Sequence, residues 1–465
     1  MKQTVQFDID LINKYDKAGP RYTSYPTAVQ FHENFATDAY KAAIERSNQA
    51  SRNASHPTPL SLYFHIPFCD TVCFYCGCNK IATKDRTKGA PYLERVHKEM
   101  TMQSALFDKD RVVEQLHWGG GTPTFISHDE MRGLMNKTRE LFTLADDDRG
   151  EYSIEIDPRE VKTDTIALLR EIGFNRMSLG VQDIDPVVQK AVNRIQPQNV
   201  TDAAIKAARS EGFKSISIDL IYGLPFQSVE RFSATLDAAI ELNPDRLSVF
   251  NYAHLPDLFK PQRRIDAATL PSPQEKLDIL AMTIERLGQA GYVYIGMDHF
   301  AKPNDELAIA QREGTLYRNF QGYSTHADCD LIAFGITSIG KVANSYSQNV
   351  KDLESYYELI DAGKLPIFRG VELDQDDILR REVITQLVCH FELDMASIDA
   401  QFNIEFENYF ADAINALTEM QQDKLVSIQN RRIEVQPAGH LLIRNICMVF
   451  DKYLQQSTQR FSKVI

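Results

Sequence analysis

The chain has 465 residues, 43% hydrophobic and 25% charged, enough for a large core and for two or three domains. Its 64 acidic against 51 basic side chains leave a formal charge of −13. That balance argues against non-specific nucleic-acid binding, while local arginines can still meet an anionic small substrate. The first residues, "MKQTVQFDID", lack a basic region followed by an apolar stretch, and no run of eighteen apolar residues occurs. The expectation is a cytoplasmic protein with neither signal peptide nor membrane span.

Residues 1–55 carry no repeating pattern, but "YDKAGPRYTSYPTA" (15–28) is dense in Tyr, Gly and Pro and suits an ordered, irregular arm. From about residue 60, β-rich runs at 62–67, 115–123, 152–158, 176–182, 215–223 and 246–254 alternate with amphipathic stretches. Those stretches are 91–107, 128–144, 162–172, 200–211 and 228–242. Such alternation implies parallel strands with crossover helices. Six units are fewer than the eight of a closed barrel, so the expected fold is α/β, a partial, open barrel. "YVYIGM" (292–297) is a candidate edge strand. From about 350 the alternation stops; 373–393 and 404–424 read as helices, and "LVSIQNRRIEVQPAG" (425–439) as a small hairpin. The expected organisation is an arm (1–55), a partial β/α barrel (56–348) and a mainly helical C-terminal domain (349–465). All six strands run into polar, glycine or aromatic residues, as expected where an active site gathers at the carboxyl ends of parallel strands.

Four of the seven cysteines fall within "CDTVCFYCGC", spaced Cys69-x3-Cys73-x2-Cys76-x-Cys78. A structural zinc site usually has a second, separated pair of ligands, and a thioredoxin-like motif would leave Cys69 unexplained. The cluster reads as an iron–sulfur site. Three thiolates hold three irons of a cubane, and Cys78 is badly placed to reach the fourth corner, leaving an iron open to a chelating ligand. Tyr75 would then lie against that ligand, and "GGGTP" (119–123) has the backbone freedom to approach it closely. Cys329, Cys389 and Cys447 are isolated and read as buried small hydrophobes. His65, His117 and His299, near strand ends, read as structural.

The CX3CX2C motif, its aromatic and the GGGTP turn resemble the radical S-adenosylmethionine (SAM) superfamily. "GPRYTSYPTA", "SLYFHIPFC", "CGCNKI", "HWGGGTPT", "IEIDPRE", "GVQD", "VNR", "IDLIYGLP", "RLSVFNYAHLP", "QGYSTH" and "LLIRNICM" resemble, within it, the oxygen-independent coproporphyrinogen III oxidases (coproporphyrinogen dehydrogenases), from about residue 11 to the end. The resemblance implies a partial TIM-like barrel with an N-terminal arm and a helical C-terminal domain. It implies oxidative decarboxylation of two propionates of coproporphyrinogen III to vinyls, giving protoporphyrinogen IX, with two SAM consumed through a 5′-deoxyadenosyl radical.

By motif, the resemblance puts a [4Fe–4S] cluster on Cys69, Cys73 and Cys76, its fourth iron chelated by SAM. Tyr63, Tyr75, Gly120, Gly121, Thr122, Glu155, Gln182, Arg194, Asp219, Ala253 and Ile339 are the implied contacts of the two SAM molecules. Cys78, Phe320 and Gln321, with Tyr63 and Glu155, are implied in activity. Arg21, with Tyr22 beside it, is a candidate for a substrate propionate on the chemistry of its guanidinium. A low-potential electron donor such as flavodoxin or ferredoxin and a monomeric state complete the expectation. Two stretches depart from the family pattern: "GYSTHADCD" (322–330), with His326 and Cys329, and "GITSIGKV" (335–342), which makes Ile339 a softer assignment than Tyr63. The related haem chaperones usually lack both "CGC" and "RYTSYPT"; a zinc-stabilised binding protein is the rival from another class.

Overall fold

Alternation with a period of two runs through the first five barrel strands and sorts their side chains between two faces. In the computed structural model, which describes residues 5–15, 17–145 and 148–454, these strands are β1 (Leu60–Ile66), β2 (Val112–Gly120), β3 (Glu151–Ile156), β4 (Arg176–Gln182) and β5 (Ser215–Tyr222). Leu62, Phe64, Leu116, Trp118, Ile154, Ile156, Leu179, Ile216, Ile218 and Leu220 point to the buried face. The positions between them, Tyr63, His117, Ser153, Glu155, Ser178, Gln182, Ser217 and Asp219, are only partly buried. One face is therefore apolar and closed, and the other is polar and half open, which a side-chain-filled barrel would not leave.

The chain divides into two compact units, each assembled from discontinuous stretches. One comprises Phe31–Pro271 and Asp328–Glu372, the other Met1–Gln30, Ser272–Ala327 and Leu373–Ile465. The cut differs from the three consecutive segments expected above. In the first unit, β6 (Arg246–Asn251), β7 (Asp330–Phe334), β8 (Ile339–Val342), β9 (Ser345–Asn349) and β10 (Ile367–Glu372) extend the sheet to the order β6-β5-β4-β3-β2-β1-β7-β8-β9-β10. The six strands read from the sequence are all present and parallel. A seventh, β7, is also parallel, pairing with β1, and β8 to β10 continue antiparallel. The sheet path is open-ended, in keeping with the partial α/β barrel expected.

The crossover helices lie where the amphipathic stretches put them: Gly89–Ser104, His128–Leu141, Thr163–Glu171, Gln198–Ser210 and Val229–Glu241. Ser127 and Glu130 close a capping box at the start of the second, and Ser228 caps the last. One long helix, Thr37–Asn53, lies in what reads as a patternless arm. Its buried face includes Ser47, Asn48 and Ser51. Ser47 bonds to Asp330, and Arg111 donates to Ser47 and Asn48 at 3.2 Å and pairs with Asp330 at 2.6 Å.

In the second unit, helices Gln375–His390 and Ala411–Gln422 form as expected, and the 425–439 hairpin is Val426–Gln429 with Arg432–Val435, joined by Glu392–Asp394 into a three-stranded sheet. Val293–Gly296 is a strand, paired with His299–Ala301. Among the described residues no helix is long and apolar enough to cross a membrane.

Candidate active site

The cysteine loop leaves β1 through Pro67 and is tied back on itself. Phe68–Cys69 pairs in parallel with Ile81–Ala82, and Thr83 N–H donates to the Cys69 carbonyl at 2.8 Å. The glycine turn packs beneath: Gly121 N–H donates to the Ile66 carbonyl and Thr122 N–H to that of Phe68, both at 2.8 Å. A Cβ on Gly121 would come within 2.7 Å of the Pro67 and Phe68 carbonyl oxygens, and Gly120 has φ +113°, so both positions require glycine. The "VNR" segment grips the loop from the other side. Phe74 N–H donates to the Val192 carbonyl at 2.9 Å, and the Asn193 amide donates to the Val72 carbonyl at 2.8 Å.

All four thiols are free; Cys69 and Cys73 are buried, Cys76 partly so, and Cys78 is exposed. Donors converge on two sulfurs: the Thr122 hydroxyl lies 3.5 Å from Cys69 Sγ, and the guanidiniums of Arg194 and Arg159 lie 3.6 and 3.7 Å from Cys73 Sγ. Burial pushes the Cys69 thiol up to about 11, against the Thr122 bond. A hydrogen bond with Cys78 pulls Cys76 down to about 5 despite burial, with Lys80 adding to it, and the same bond pushes Cys78 well up. Hydroxyl and guanidinium donors aimed at sulfur suit thiolate ligands, so the set fits an iron–sulfur cluster.

Cross-strand register assembles the polar wall. Tyr63 lies opposite His117, and His117 opposite Ser153; Glu155 lies opposite Ser178, and Asp219 opposite Ser248. The Tyr63 and His117 rings stack with centroids 5.8 Å apart. His117 contacts Ser153 Oγ at 2.6 Å and Glu155 Oε1 at 3.3 Å, and Gly120 N–H donates to Glu155 Oε2 at 3.1 Å. Burial works against ionisation of Glu155, but the His117 bond and charge, with that N–H, hold its carboxyl below the usual range. Asp219, which accepts from Ser178 Oγ at 2.9 Å, is pushed by burial up to about 6. His65, set aside as structural in the sequence, contacts the Tyr63 hydroxyl (3.1 Å) and the Asn79 carbonyl (3.2 Å), the latter one residue past Cys78.

Gln182 ends β4 at φ +69°, its amide over Gly180. Tyr75 and Ala253 are brought together by one side chain: the Gln262 amide donates to their carbonyls at 3.0 and 3.2 Å. Ile339 opens β8, opposite Gln348. In the other unit, Phe320 and Gln321 form the turn between the paired strands Tyr317–Asn319 and Gly322–Ser324. There Arg21 pairs with Asp298 at 2.8 Å, and Tyr22 is buried, its hydroxyl donating to Asp451 at 3.0 Å. Asp157 and Arg159 stand in "IEIDPRE" without a role among the sequence-based expectations; an acid and a base two residues apart after a strand are the available signal.

The family model described as the radical SAM superfamily matches residues 63–239, and that described as the HemN C-terminal domain matches 373–442. The oxygen-independent coproporphyrinogen III oxidase of Pseudomonas aeruginosa is 53% identical, with 100% of both chains covered. That of Escherichia coli K12 is 50% identical, covering 100% of this chain and 99% of its own. The solved structure of coproporphyrinogen III oxidase (HemN) from Escherichia coli, described as a radical SAM enzyme, matches with a TM-score of 0.91 and 48% identity over 97% of this chain and 100% of that one. With its parallel sheet and cysteine loop, the chain belongs to the oxygen-independent coproporphyrinogen III oxidase family of radical SAM enzymes.

Proposed function

We propose that the chain decarboxylates two propionate side chains of coproporphyrinogen III to vinyls without oxygen, giving protoporphyrinogen IX in porphyrin and haem biosynthesis, with two SAM consumed. The observation that carries this reading is the cysteine loop, with donors aimed at the buried sulfurs of Cys69 and Cys73, beside a polar, half-open sheet face. Cys69, Cys73 and Cys76 would hold a [4Fe–4S] cluster, which when bound supplies the electron for reductive cleavage of SAM.

The chain's own residues bind and orient. Tyr63, Tyr75, Gln182, Ala253, Ile339 and the Gly120–Thr122 turn line the room for two SAM molecules. Glu155, held ionised, suits an ammonium, sulfonium or ribose hydroxyl; Asp219 suits ribose hydroxyls, and Arg194 a carboxylate. Phe320, Gln321 and Cys78 serve activity without holding the cluster. Arg21 belongs to the substrate side, where it would exchange Asp298 for a propionate, whereas Tyr22, buried with its hydroxyl on Asp451, packs the arm. A flavodoxin- or ferredoxin-type donor, a cytoplasmic location and a monomeric state are part of the same reading.

Anaerobic reconstitution with iron and sulfide tests it. The expected product is a brown protein that releases 5′-deoxyadenosine from SAM and forms vinyl porphyrinogen from coproporphyrinogen III. 5′-Deoxyadenosine without vinyl product overturns the decarboxylation; a colourless zinc protein overturns the cluster. Cys78→Ser is expected to keep its iron and lose turnover, and loss of iron in that variant would make the site a four-thiol one.

A further inference from the structure

Two guanidiniums, those of Arg159 and Arg194, converge on the sulfur of Cys73. Arg159 sits in the short turn Pro158–Glu160 at the end of β3, where Asp157 caps its backbone N–H at 3.1 Å. Asp157 also grips the guanidinium with both carboxylate oxygens, Nε at 3.0 Å and Nη2 at 2.6 Å. That fork leaves Nη2 facing Cys73 Sγ at 3.7 Å. Arg194 shares Asp157 Oδ2 at 3.0 Å, bonds the Gly180 carbonyl, and reaches the same sulfur at 3.6 Å. The three side chains are largely buried, with exposures of 16% for Arg159, 10% for Asp157 and 7% for Arg194. Two guanidiniums and one carboxylate leave a net positive charge against one sulfur, in a place where water screens little.

Cluster potential depends on net charge, exposure and hydrogen bonds to the sulfurs, and outer-shell groups are the usual means of setting it. Reduction adds one negative charge to the cluster, so nearby positive charge and N–H donors to sulfur stabilise the reduced form. We propose that Arg159, clamped by Asp157, is a positioning residue that raises the cluster's reduction potential and so makes it reducible by its donor. Arg194 has a second role implied toward SAM; Arg159 has its fork committed to Asp157 and Cys73. The proposal rests on the cluster assignment above.

The test is the midpoint potential of the reconstituted cluster, read by EPR during a redox titration without SAM, alongside iron and sulfide content. Arg159→Met is expected to keep a full cluster and shift the one-electron reduction equilibrium about tenfold toward the oxidised form, ~59 mV downward. Arg159→Gln, which removes the charge but stays polar, is expected to fall in the same direction and decides the matter should the methionine variant lose its cluster. Arg132→Met, at an exposed arginine paired with Glu171 on a neighbouring helix, is expected to leave the potential unchanged. An unaltered potential in a fully loaded Arg159 variant overturns the proposal, as does an equal drop in the Arg132 control. Failure of the wild-type chain to take up iron would instead overturn the cluster assignment.

Discussion

Gly121 shows how one missing Cβ can shape a site. Its neighbours at 2.7 Å are backbone atoms of Pro67 and Phe68, which cannot swing aside as a flexible side chain would. Gly121→Ala is therefore expected to destabilise the first unit by about 1–3 kcal/mol, the usual cost of overpacking, and to push the turn away from the cysteine loop. Chemical denaturation measures the first effect and iron retention the second; unchanged values for both would show that the turn relaxes freely. The cysteines and the glycine turn were legible because their spacing is itself the signal. His117 and Arg159 were not, because a histidine in a strand and an arginine after a proline carry no meaning until register and turn geometry bring them to Glu155 and Cys73.

At the scale of elements, Glu99 ties the helix Gly89–Ser104 to β9 and to the turn after β7. Its carboxylate accepts from Gln103 (3.0 Å), Asn349 (2.8 Å), Gly335 N–H (2.9 Å) and the Tyr356 hydroxyl (2.6 Å). Burial pushes it up to about 7 although all four donors favour the charged form. A carboxyl whose folded pKa is raised from 4.5 to about 7 binds a proton in the native state that the unfolded state has released. Its contribution to stability is complete below about 4.5 and is lost as pH rises through about 7. Across that window wild-type stability is expected to fall by about 3 kcal/mol relative to Glu99→Gln, whose stability lacks this slope. Urea denaturation at a series of pH values checks this; parallel curves would assign the pH dependence to other groups. Gly335 and Asn349, which Glu99 holds, lie just after β7 and on β9, in the stretch of strands that the sequence hid. "DLIAF" and "SYSQN" are buried at every position, so the second strand buries Ser, Gln and Asn with no apolar period to mark it.

At the scale of the whole molecule, the first thirty residues belong with the C-terminal region in one compact unit. Arg444, buried, donates to the carbonyls of Gly19 and Pro20, the latter at 2.9 Å, and the Asn445 amide donates to that of Tyr15 at 2.8 Å. Tyr22 and Tyr25 sink into the same core, so "GPRYTSYPTA" packs through its tyrosines and is pinned through its backbone. Arg444→Met leaves two buried carbonyls without their donor, at about 1–3 kcal/mol each. It is expected to lower the denaturation midpoint of the second unit and to expose 17–25 to limited proteolysis. Cleavage no faster than in wild type would show that the tyrosines alone hold the arm.

By itself the sequence determined the chemistry and most of the scaffold. Thiol spacing, a glycine turn and strand–helix periodicity are local properties, and they led to a metal-bearing, partial α/β barrel whose strand ends are polar. Only the tertiary structure decided how the polar residues are shared out. Register placed His117 against Glu155 and Ser178 against Asp219, the turn after β3 swung Arg159 onto Cys73, and a buried Arg111–Asp330 pair allowed a helix with a polar face to pack. Hydrophobic pattern cannot foresee such contacts, because a buried polar group is stable only when its partner, distant in sequence, arrives with it.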